Sequence, residues 1–97
     1  MTRSLIERRL TDVGDRLRAL RDELRIVDEQ LRELAAEADD SRLRALVSET
    51  PLADREHRDA QRHADAMAKR RAELLTSIGQ LEAKQDELLD RLIAEKR

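Results

Sequence analysis

The chain has 97 residues, of which 43% are charged; its formal net charge is only −2, and it contains no aromatic residue and no cysteine. A domain of this size built as a compact globule needs large side chains at its centre, and those are missing. The same composition excludes a disulfide framework, a thiolate metal site and the uncompensated basic charge that holding a phosphate backbone requires, so nucleic acid is not expected as the principal partner.

What remains is Ala, Glu, Asp, Leu and Arg, the material of long amphipathic helices rather than of strands. Disorder is the competing reading of so much charge, but the signs nearly cancel and leucines recur at fixed intervals. The opening MTRSLIERRL has no apolar run suited to a signal peptide, and no segment approaches the ~20 apolar residues of a membrane span. A cytoplasmic protein with no membrane partner is the expectation. The lack of Asn and the preference for Arg over Lys point to a GC-rich bacterial genome.

The first predicted element carries Ile6, Leu10, Val13, Leu17, Leu20, Leu24, Val27, Leu31, Leu34 and Ala38, with steps alternating four and three. That heptad pattern specifies a helix whose apolar stripe winds around a partner helix. Ser4 followed by Glu7 reads as a capping box, which places the start near Leu5 and gives helix one a span of about 5–40.

The pattern changes at Asp39-Asp40-Ser41. Beyond it the large apolar residues Leu43, Leu46, Val47 and Leu52 sit well round the helix from the stripe that ended at Ala38. A short extra helix at the bend, over residues 42–48 within a bend segment of 41–50 and capped by Asp40 or Ser41, accounts for this if the four residues plug the bend. The second reading is an exposed apolar tip that docks into another protein.

Thr50-Pro51 announces the next element: threonine is a good N-cap, proline fits the first helical position, and the residue before proline is driven out of helical geometry. Helix two is expected over about 51–96, with a seam of Ala53, His57, Ala60, Ala64, Met67, Arg71, Leu74, Ile78, Leu81, Gln85, Leu88 and Leu92. The chain therefore reads as a single all-α domain over 1–97, an antiparallel two-helix hairpin of coiled-coil type. With the turn at 48–51, facing residues have numbers adding to about 99 on helical rise. Leu17 then faces Leu81, Arg71 lies near Asp28, and leucines meet alanines near the turn.

His57, Arg71 and Gln85 are polar residues on this seam. They fix register and orientation, or their side chains simply reach out of it. His57 and His63 are six residues apart and turned to different faces, so no metal site is expected. No glycine-rich phosphate loop or clustered catalytic base is present, so no enzyme activity and no cofactor are expected. Gly14 and Gly79 are isolated within helical patterns and read as close packing or local flexibility.

At the open end the apolar surface is wider than one seam needs. Leu5, Leu75, Leu89 and Ile93 are left over as a self-association face, which points to a homodimer pairing as a four-helix bundle.

The leading functional expectation is a non-catalytic interaction or adaptor protein acting through contact with a protein partner. The hairpin also resembles, in topology, the coiled-coil domain of the Gre transcript-cleavage factors, where acidic residues at a hairpin tip reach into the secondary channel of RNA polymerase. The tip region here offers Asp39, Asp40, Glu49, Asp54 and Glu56. That resemblance implies a regulator that inserts its tip into a larger machine. A third expectation is a small-ligand sensor that uses Arg71 and Gln85 between the helices.

Overall fold

The computed structural model describes residues 2–96 and contains two long helices, α1 (Arg3–Ser48) and α2 (Pro51–Lys96), folded as a helical hairpin. Helix α1 begins two residues earlier than the capping-box reading placed it. Thr2 is the cap: its Oγ1 accepts the Leu5 amide at 3.3 Å, and its carbonyl accepts the Ile6 amide at 3.0 Å. Glu7, freed from capping, takes the Arg3 guanidinium at 3.0 Å instead.

The short extra helix at the bend does not form. Helix α1 runs through Asp39-Asp40-Ser41 without a break and ends at Ser48. Its seam continues in the same rhythm through buried Ser41 and Ala45, and Ser41 spends its hydroxyl on the Ala38 carbonyl at 2.8 Å rather than capping a new helix. The intervening turn was unnecessary because small residues had taken over the buried positions.

The reversal needs only Glu49 and Thr50. Glu49 has φ 51°, and its amide reaches the Ala45 carbonyl at 3.0 Å, the single hydrogen bond of a left-handed helix stop. Thr50 then caps α2 as expected, its Oγ1 accepting the Ala53 amide at 3.1 Å.

The hairpin divides into two compact units, Met1–Leu24 with Leu74–Arg97, and Arg25–Glu73. In the first, Ile6, Leu17, Leu74, Ile78 and Leu88 are buried between the helices, with Leu10, Val13, Leu20, Leu24, Leu81, Gln85 and Leu92 half-buried along the same seam. In the second, the buried residues are small: Ala38, Ser41, Ala45, Ala53 and Ala64, with Val27 the one larger side chain among them. Interaxial distance follows the side chains at the contact, so this unit packs by close backbone approach and the first by interlocking aliphatic side chains. Every seam residue expected on α1 and α2 is buried or half-buried. Among the described residues, no helix is long and apolar enough to cross a membrane.

Candidate functional site

Within the unit around the bend, the last two turns of α1 bury Ser41 and Ala45 and thereby turn Leu43, Leu46 and Val47 outward. They are 54%, 63% and 86% exposed, and Leu52 at the start of α2 is 64% exposed. This corrects the expectation that these four residues plug the bend. Leu43, Leu46 and Val47 stand three and four residues apart, so they form one contiguous apolar patch on the outer face of α1. Leu52 lies on the other helix, where it lines a shallow depression of about 370 Å³ with Pro51, Arg55 and Arg58. Asp39, Asp40, Glu49, Asp54 and Glu56 are exposed in the same unit.

Two of the polar seam residues, Arg71 and His57, have specific partners. The Arg71 Nε donates to Asp28 Oδ1 at 2.6 Å across the hairpin, as its position opposite Asp28 suggested. Both side chains keep substantial contact with water, so the pair orients the helices more than it stabilises them. His57 Nδ1 lies 3.4 Å from the Ser41 Oγ. Because the Ser41 hydroxyl hydrogen is directed at the Ala38 carbonyl, an Nδ1–H on His57 completes the contact. Ser41 meeting His57, and Asp28 meeting Arg71, is the register that the turn position implied. Gln85 is half-buried on the seam of the other unit.

His63 is exposed and lines a second depression of about 360 Å³ with Leu34, Ala66, Met67 and Arg70. Sequence reasoning did not find this depression. Among the described residues, no three His, Cys, Asp or Glu side chains are grouped to hold a metal ion.

No protein-family model, curated protein or solved structure matches the chain. The surfaces must therefore be read from their own chemistry.

In the open-end unit, three of the four residues expected to form a self-association face, Leu75, Leu89 and Ile93, are exposed, while Leu5 is half-buried. The four do not form one face. Arg21, which follows the seam residue Leu20, reaches Glu82, which follows Leu81, at 3.2 Å. Residues immediately following seam residues therefore share one flank of this unit on both helices, and residues immediately preceding them share the other. Leu75, Leu89 and Ile93 follow Leu74, Leu88 and Leu92; Leu5 precedes Ile6 and belongs to the opposite flank.

Both glycines of the chain fall on the flank of Leu75, Leu89 and Ile93, since Gly14 follows Val13 and Gly79 follows Ile78. Neither is required by the fold of its own chain. A Cβ at either position meets nothing within 4 Å, and neither has a positive φ. Each nevertheless costs about 0.8 to 1.0 kcal/mol relative to Ala inside a helix.

Ile26 is a further exposed apolar residue, 58% accessible, that the sequence reading had not singled out.

Proposed function

We propose that this chain is a non-catalytic adaptor, an antiparallel coiled-coil hairpin that acts through protein–protein contact and pairs with a second copy as a four-helix bundle. The observation that carries the adaptor reading is the outward patch of Leu43, Leu46 and Val47, three large apolar side chains on a helix that had small residues available for its seam. An apolar helix face with anchors three and four residues apart fits a hydrophobic groove on a partner protein, and the exposed carboxylates and guanidiniums around it supply a polar rim. The alternation of four and three along both seams supports the coiled-coil reading. The width of apolar surface at the open end supports pairing.

Truncation of the patch tests the reading. The double variant Leu46→Ala and Val47→Ala is expected to change folding stability by less than about 0.5 kcal/mol, since exposed side chains contribute little packing. It should abolish crosslinking of a partner to a photoreactive residue placed at Leu43. Retained crosslinking, or a large loss of thermal stability, counts against a docking patch.

The second reading, a regulator whose tip enters a larger machine such as RNA polymerase, draws on the exposure of Asp39, Asp40, Glu49, Asp54 and Glu56. Polymerase binding that disappears when these acids are neutralised separates it from the adaptor. The small-ligand reading is weakened by the engagement of Arg71 with Asp28, which leaves that guanidinium committed within the chain.

A further inference from the structure

Four features of the open-end unit coincide on one flank. Leu75, Leu89 and Ile93 are exposed there, and both glycines lie there with open space where a side chain would stand. On α1 the flank carries Glu7, which pairs with Arg3, and then Arg18, which pairs with the neighbouring Asp15, and Arg21; on α2 it carries Glu82 and Asp86. Arg21 already pairs with Glu82 within the chain, which fixes the two strips side by side. Leu89 stands one heptad from Glu82, as Gly14 does from Arg21 in the opposite sense, so the two hold corresponding positions along the flank.

We infer that this flank is the surface on which a second copy of the chain docks, with α1 of one copy lying over α2 of the other. The inference rests on the four-helix pairing proposed above and assigns it to a face. A twofold axis parallel to the helices sets the basic strip of each copy over the acidic strip of its mate, so the charge pattern is self-complementary in that arrangement. The glycines let the facing backbones approach closely, and Leu75, Leu89 and Ile93 supply the apolar area. A glycine that serves nothing inside its own chain thereby gains a role between chains. Leu5 and the flank it occupies remain outside the interface.

Sedimentation equilibrium of the full chain across the micromolar range, with circular dichroism as the control for folding, tests the assignment. The wild-type chain is expected to be dimeric. Gly14→Gln adds a Cβ that meets nothing within 4 Å and replaces glycine with a better helix former, so it should leave the hairpin folded while weakening self-association by about tenfold or more. Leu89→Gln should weaken it comparably, and Leu5→Gln should not. A dimer that is indifferent to Gly14→Gln and Leu89→Gln, or that is disrupted by Leu5→Gln, overturns the assignment and leaves the pairing itself standing. A wild-type chain that stays monomeric throughout overturns both.

Discussion

Glu49 is the residue on which the reversal turns, and it is an unusual choice for that duty. A left-handed conformation at φ 51° brings the side-chain Cβ toward the following carbonyl and costs a residue other than glycine about 1 to 2 kcal/mol. Glycine avoids that cost but gives the unfolded chain more freedom to lose, an opposing effect of about 0.4 to 1 kcal/mol. Glu49→Gly should therefore raise stability by about 0 to 1.6 kcal/mol on balance of these two effects. Glu49→Val, β-branched at the same φ, should lower it by more than about 1 kcal/mol. Chemical denaturation of the three chains checks the order, and a Gly variant less stable than the Val variant is incompatible with a left-handed stop here. Nothing in the sequence marked Glu49, because the residue types that advertise this conformation are Gly and Asn, and neither stands at the bend.

At the scale of the helices, the seams were legible because their periodicity is a property of each helix alone: Ile6 through Ala38 and Ala53 through Leu92 could be read by counting. The bend was misread for the complementary reason. Whether Leu43 or Ala45 is buried depends on how near the other helix stands, and that distance is set by the short Glu49-Thr50 link together with the alanines of α2. Bulk drew the sequence reading toward Leu43, Leu46 and Val47, while the available space admitted Ser41 and Ala45. The start of α1 was misplaced on a smaller scale, since Thr2 and Ser4 are both competent caps and only the hydrogen bonds choose between them. Of the candidate surfaces, the apolar residues at the tip and the open end were legible by type. Their division between flanks was not, because it follows from the Arg21–Glu82 contact between helices. Two substitutions contrast the two kinds of seam. Leu17→Ala removes a fully packed aliphatic side chain and should cost about 2 to 5 kcal/mol. Ser41→Leu forces bulk into a closely packed position, displaces the contact with His57, and should cost about 1 to 3 kcal/mol despite being more hydrophobic. If Ser41→Leu instead stabilises the chain, the close packing assigned to that unit is wrong.

For the molecule as a whole, the two units differ in what holds them. Met1–Leu24 with Leu74–Arg97 buries Ile6, Leu17, Leu74, Ile78 and Leu88, whereas Arg25–Glu73 relies on alanines, Ser41 and a partly solvated ion pair. Apolar burial dominates stability at about 25 cal/mol per Å², so the unit with larger buried side chains should open less often. Native-state hydrogen exchange should show slower exchange for amides of 74–88 than for those of 53–67. Equal protection throughout would mean that the hairpin opens only as a single cooperative block.

The link between the helices also limits how two chains can exchange material. Pairs of hairpins can often straighten and trade arms, each giving its second helix to the other. Here a straightened chain would have to carry helical geometry through Thr50, and the ring of Pro51 bars that residue from it, while Pro51 has no amide to donate to the previous turn. Proline at this position thus disfavours an intertwined pair, so two copies that associated would do so as closed hairpins and would separate without unfolding.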